Sequence, residues 1–181
     1  LWGGAGNDSV YGQGGDDYVD GGTGNNKLFG GTGDDVIVAG NGNDTAEGGD
    51  GDDCIDVGDG TNTVKGNAGS DEINTGTGND TVSGGDGDDV IQSGGGNDSV
   101  SGDAGMDKIN AGSGNDKVTG GADDDCILAG DGNDTASGGL GNDIVRGEAG
   151  IDSVNGDAGD DQLDGGAGND IVNGGDGNDK V

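Results

Sequence analysis

An aspartate recurs at every ninth position of this chain: Asp8, Asp17, Asp35, Asp44, Asp53, Asp71, Asp80, Asp89, Asp98, Asp107, Asp116, Asp125, Asp134, Asp143, Asp152, Asp161, Asp170 and Asp179, with Asn26 and Asn62 in the two remaining slots. A carboxylate is a hard oxygen donor, and a column of them at one fixed spacing is chemistry for a hard divalent cation. Catalysis has little to work with. The chain has no His and pairs no nucleophile with a base, and carboxylates committed to cations are poor general bases. With no His and only two Cys, zinc and copper sites are not expected either. The eighteen Asp are therefore the candidate metal ligands, and the segment is not expected to be an enzyme.

Around each of these positions the same nonapeptide returns, G-G-x-G-[N/D]-D-x-U-x, twenty times without an insertion. The U position is aliphatic throughout, beginning Val10, Val19, Leu28 and Ile37, and sixteen of the twenty are Val or Ile. Such residues suit a pleated strand. Side chains alternate along a strand, so in x-U-x only U is expected to be buried. The six residues G-G-x-G-[N/D]-D must then reverse the chain, with Gly supplying the positive φ that so tight a loop needs. Loops of this kind aim several backbone carbonyls at one point beside the Asp.

A second period of eighteen lies over the first. The residue before the Asp is Asn in alternate units (Asn7, Asn25, Asn43, Asn79, Asn97, Asn115, Asn133, Asn169) and mainly Asp in the others, as at Asp16, Asp34 and Asp52. At the same interval the first Gly gives way to Ala39, Val57, Thr75, Ser93, Ala111 and Ala129. This predicts two nonapeptides per turn. The expected fold is all-β, a parallel β-roll (a β-helix or solenoid) of about ten turns in one continuous array over residues 1–181. Two short sheets would share a thin aliphatic core, thinnest at Ala46 and Ala136. At about 4.8 Å per stacked strand the rod would be roughly 48 Å long.

Composition sets a condition on that fold. Thirty-eight acidic residues against six basic ones give a net charge of −32, with 50 Gly and no Pro. Val, Ile, Leu and Phe number 29, a share below the roughly 20% under which a highly charged chain is expected to stay disordered. Ordering requires something that neutralises the carboxylates. Stacked loops on two edges leave nine gaps each, so up to about eighteen Ca²⁺ ions would bring −32 close to neutral. Without them, carboxylates about 4 Å apart repel by about 4 kcal/mol per contact at an effective dielectric of 20. The acidic balance also argues against nucleic acid and anionic lipid as partners. No apolar run reaches the roughly 18 residues of a membrane span, and nothing looks like a signal peptide.

The nonapeptide resembles the RTX, or hemolysin-type, calcium-binding repeat, and the resemblance covers the whole chain. It implies calcium as cofactor and partner, and export by a one-step type I route, unfolded in low cytosolic calcium and folding outside the cell. An affinity of about 10⁻⁴ to 10⁻³ M, usual for extracellular modules, would make that switch work. Two functions are then open. One is a structural element such as a fibre, surface layer or adhesin stalk, with copies associating end to end or laterally. The other is a calcium-dependent folding module of a secreted toxin or hydrolase whose catalytic domain lies elsewhere. Leu1 and Val181 cut the array mid-pattern, which suggests an excerpt of a longer chain or a polymer subunit. Related calcium rolls bind ice through an outward row of Thr and Asn, but Thr23, Thr32 and Thr77 do not form one.

Two bland readings compete. The Asp column can be loop-capping in a metal-free solenoid, although nothing in such a fold requires acid at one slot at this electrostatic cost. The Asn-Gly and Asp-Gly pairs can mark antiparallel hairpins, although three-residue strands make marginal pairs. Departures from the repeat carry their own expectations. Asn26 and Asn62 keep an oxygen and lose its charge, so their sites should be weaker. Asp123 replaces a loop Gly, and its loop should be distorted. Cys54 and Cys126 lie four turns apart on one face, about 19 Å, too far for a disulfide. Trp2, Tyr11, Tyr18 and Phe29 all occupy outward slots near the start.

Overall fold

Eighteen-residue spacing becomes strand stacking in the computed structural model, which describes residues 1–181. The first sheet holds ten strands: Ser9–Gly14, Lys27–Thr32, Thr45–Asp50, Thr63–Ala68, Thr81–Asp86, Ser99–Ala104, Lys117–Ala122, Thr135–Leu140, Ser153–Ala158 and Ile171–Asp176. The second runs through nine: Tyr18–Asp20, Val36–Val38, Cys54–Asp56, Glu72–Asn74, Val90–Gln92, Lys108–Asn110, Cys126–Asp131, Ile144–Gly150 and Gln162–Asp164, with Ala167–Gly168 paired beside Ile144–Gly150. Every pairing is parallel and offset by eighteen, as in Leu28 beside Ala46 and Ile91 beside Ile109. Two nonapeptides make each turn of a parallel β-roll. No helix is long and apolar enough to cross a membrane.

First-sheet strands run to six residues rather than the three expected, because the Gly-rich residues after U stay in the ladder: Gly31 pairs with Gly49 and Thr32 with Asp50. The loops on the two edges are correspondingly different. We call the loops leading from the first sheet to the second the first edge, and the return loops the second edge.

The core is one thin layer of 21 buried apolar residues. Ile37, Ile55, Ile73, Ile91, Ile109 and Ile127 come from the second sheet, and Leu28, Ala46, Val64, Val82, Val100 and Val118 face them from the first. The expectation that U alone is buried is corrected: Ala39, Val57, Thr75, Ser93, Ala111 and Ala129 are buried too. Each lies two residues past an Ile or similar U residue, and two steps along an extended chain return to the same face. Replacing Ile91 by Ala should cost about 2–5 kcal/mol, read as a lower midpoint in thermal unfolding of the calcium-loaded rod. A loss below about 1 kcal/mol would argue against a tightly packed layer.

Asp123 disturbs its loop, but only locally: its N–H lacks the bond to the next turn that Gly105 makes to the Ala122 carbonyl and Gly141 to the Ala158 carbonyl. It takes φ +77, which a short Asx side chain tolerates, and the ladder runs on through Asp125 unchanged: the Asp107 N–H donates to Asp125 Oδ1, and the Asp125 N–H to Asp143 Oδ1, both at 2.8 Å. The hydroxyl reading also changes. Thr45, Thr63, Thr81 and Ser99 form one outward column on the first sheet, which the choice of Thr23, Thr32 and Thr77 missed. Lys27 and Lys117 interrupt that column, and in the neighbouring column Ser101 and Ser137 are bonded to Asp103 and Asp157. Cys54 and Cys126 are free thiols four strands apart on the second sheet. Tyr11 and Phe29 stack at 4.8 Å between ring centroids, one turn apart.

Candidate metal centre

Each loop delivers its repeat Asp to the same place in successive turns, and those carboxylates bond along the rod. The N–H of Asp53 donates to Oδ1 of Asp71, the N–H of Asp71 to Oδ1 of Asp89, and the N–H of Asp89 to Oδ1 of Asp107, each at 2.8 Å. The ladder on the first edge continues in this way from Asp17 to Asp179. The second edge carries its own ladder, from Asp8 through Asn26, Asp44 and Asn62 to Asp170. Of the eighteen Asp expected to bind metal, fourteen are buried, at 1–3% exposure. Asp8, Asp17, Asp170 and Asp179, in the end turns, are partly buried.

These bonds use one carboxylate oxygen only. Oδ2 of fifteen ladder residues is buried and accepts no hydrogen bond from any group of the chain. A buried acceptor left unpaired costs about 1–3 kcal/mol, and more when charged. Fifteen such costs exceed the roughly 5–15 kcal/mol that holds a domain together. At neutral pH the rod needs a counter-charge at these oxygens.

The shape beside them fits one. The space into which a side chain on Gly30 would project is bordered by Oδ2 of Asp35 and the carbonyl oxygen of Gly48 in the next turn. Gly66, Gly84, Gly102 and Gly120 have the same surroundings, with Asp71, Asp89, Asp107 and Asp125 in turn. A Cβ at any of them would lie closer than the 3.0 Å that real Cβ atoms keep. These Gly therefore hold open a cradle walled by carboxylate and carbonyl oxygen, a donor set for a hard divalent cation such as calcium. No three His, Cys, Asp or Glu side chains converge anywhere, so most ligands would be carbonyls, as the loop geometry anticipates.

Electrostatics agree. Burial raises the carboxyl groups of Asp53, Asp71, Asp89, Asp107 and Asp116 from 3.8 to about 6, and that of Asp125 to about 7, with neighbouring ladder charges adding to the effect. Hydrogen bonds from the ladder N–H groups oppose it. A group whose affinity for a proton is raised by desolvation and like charge is one that a cation would relieve.

A second rail escaped the sequence reading. The residue before most ladder positions bonds in the opposite direction: the N–H of Asn115 donates to Oδ1 of Asn97, and the N–H of Asn133 to Oδ1 of Asn115. On the first edge Asp34 donates to Asp16 and Asp52 to Asp34. The Asn and Asp columns of eighteen-residue period were its signal, and their work is to tie the exposed backs of the loops together.

Stacked parallel turns with oxygen cradles along the first edge and unpartnered buried carboxylate oxygens along both define a cation-binding parallel β-solenoid. The chain belongs to the RTX calcium-binding nonapeptide repeat family: the family model, four copies of the repeat, matches residues 1–28, 29–64, 65–100, 101–136, 127–154, 137–172 and 146–181. Comparison with curated proteins finds no match. The segment is a calcium-binding repeat module, and with repeats alone accounting for its length and no catalytic family among the matches, it is consistent with a part that is not an enzyme.

Proposed function

We propose that this chain is an extracellular rod that folds when calcium fills the cradles between its turns, and that it serves as a structural element: a fibre, surface layer or adhesin stalk. The ligands are the eighteen ladder Asp through Oδ2, together with loop carbonyls. The observation that carries the reading is the run of buried Oδ2 atoms without a hydrogen-bond partner, which on the first edge at Asp35, Asp53, Asp71, Asp89, Asp107 and Asp125 share a space with a carbonyl of the next turn. In the low calcium of a cytosol such a chain stays a soluble polyanion. In millimolar extracellular calcium it orders, in the affinity range of about 10⁻⁴ to 10⁻³ M.

The structural role draws support from regularity. No insertion breaks either sheet, so both outer faces repeat at every turn and suit contact with further copies. Light scattering on the purified segment, with calcium added to about 10 mM, tests it. Growth from monomers to extended particles, reversed by chelator, is the expected result. Rods that fold yet stay monomeric at every concentration would favour the other role, a folding and secretion module of a larger secreted protein.

A further inference from the structure

The two edges are not equal. On the first edge every ladder position is Asp, from Asp17 to Asp179, and every cradle position is Gly, from Gly12 to Gly174. All departures at these positions fall on the second edge: Asn26 and Asn62 in the ladder, and Ala39, Val57, Thr75, Ser93, Ala111 and Ala129 at the cradle.

Asn62 shows what such a departure does. Its Oδ1 accepts from the N–H of Asp44 at 2.9 Å, the bond that Asp makes elsewhere, and this fixes which way the amide points. Nδ2 therefore faces the gap, where it donates to the carbonyls of Gly58 at 3.1 Å and Thr75 at 3.2 Å, with that of Gly60 at 3.5 Å. The Thr75 carbonyl is the counterpart of the Gly48 carbonyl that walls the Gly30 cradle. Asn26 repeats the orientation of the amide without the bond to the next turn. Its Oδ1 accepts from Asp8 at 3.0 Å, its Nδ2 donates to the Gly24 carbonyl at 2.9 Å, and the space beside Gly21 is bordered by that nitrogen instead of a carboxylate oxygen.

The next two gaps differ in one respect. Thr75 Oγ1 donates to the Ser93 carbonyl at 3.0 Å and Ser93 Oγ to the Ala111 carbonyl at 2.9 Å. There, however, Oδ2 of Asp80 and Asp98 still lacks a donor, so a carboxylate remains for an ion. At Asn26 and Asn62 none remains, and a cation would meet the positive end of an N–H dipole.

We propose that the gaps at Asn26 and Asn62 hold no calcium: the Asn62 amide does the ion's work by tying carbonyls of two successive turns together, and the Asn26 amide turns the same N–H group toward its gap from a bond within its own loop. The first edge then carries an unbroken column of at most nine ions, and the second edge a broken one of at most seven. The earlier expectation of two weak sites becomes one of two closed sites. This inference rests on the calcium reading above.

Native mass spectrometry of the calcium-loaded chain and of the double variant N26D/N62D tests it. The variant should hold two more ions than the wild type, while D71N, on the first edge, should hold one fewer. In the loaded wild type, hydrogen-exchange NMR should show the Asn62 side-chain amide protons, assigned by their loss in N62D, exchanging at least 100-fold more slowly than those of exposed Asn79. That readout stands even if the double variant fails to fold. Equal counts in wild type and folded double variant, or Asn62 amide protons that exchange as fast as those of Asn79, would overturn the inference and leave the calcium reading intact. No calcium on either chain would overturn both.

Discussion

Held at pH 7.5 in chelator, the chain should show the far-UV spectrum of a disordered polyanion, and lowering the pH of the same solution to about 4.5 should recover a large part of the β signal. The reason is linkage. Burial raises Asp53, Asp71, Asp89, Asp107 and Asp116 to about 6 and Asp125 to about 7 in the folded rod, while an unfolded chain titrates its Asp near 3.9. The folded state therefore binds more protons between these limits. The stability those protons supply is fully present below about pH 4 and is lost as pH rises through 6 to 7. Protons here substitute for calcium at Oδ2. With calcium present the dependence reverses, because protons and ions compete for one oxygen: the calcium midpoint for folding should fall as pH rises from 5.5 to 7.5. A chelated chain equally disordered at pH 4.5 and 7.5 would show that carboxylate repulsion is not what keeps the metal-free rod open.

Gly102→Ala should be among the most damaging single-methyl changes in the molecule. The new methyl would fall within 3.0 Å of both Asp107 Oδ2 and the Gly120 carbonyl, and so into the space assigned to an ion. Over-packing alone costs about 1–3 kcal/mol, and the lost ion leaves Asp107 as an uncompensated buried charge. The calcium midpoint for folding should rise several-fold, with one ion fewer per chain. On the second edge Ala111 already fills the corresponding slot and is buried, so Ala111→Gly should cost about 1–2 kcal/mol from backbone freedom and the lost buried methyl, with no ion lost. Similar calcium titrations for the two variants would mean that the first-edge Gly are not a cradle.

How much of this was legible in the sequence follows from what repeats. The Asp column, the U column and the eighteen-residue overtone require two nonapeptides per parallel turn, and register then follows because a one-residue slip would bury x in place of U. The Gly of the cradle was legible as a loop former only. Its second role, leaving room between Asp35 Oδ2 and the Gly48 carbonyl, depends on two turns meeting in space. Burial of Ala39 and Val57 was within reach of the period-two rule and was missed because the loop was taken to begin straight after U. The disturbance expected at Asp123 is confined to one backbone bond, because its side chain is exposed outside the rod, which the string of letters does not show. At Asn62 the sequence shows an oxygen kept and a charge lost; that the oxygen accepts from the Asp44 N–H and the amide nitrogen faces the gap depends on how two turns stack.

The central claim is that calcium folds this chain by filling cradles of carboxylate and carbonyl oxygen between its turns. Far-UV circular dichroism of the isolated segment at pH 7.5, titrated with calcium and in parallel with magnesium, tests it most directly. The account predicts a cooperative gain of β signal with calcium and none at equal magnesium, which demands tighter octahedral geometry and sheds its waters reluctantly. A full β spectrum already present in chelator at that pH would contradict it.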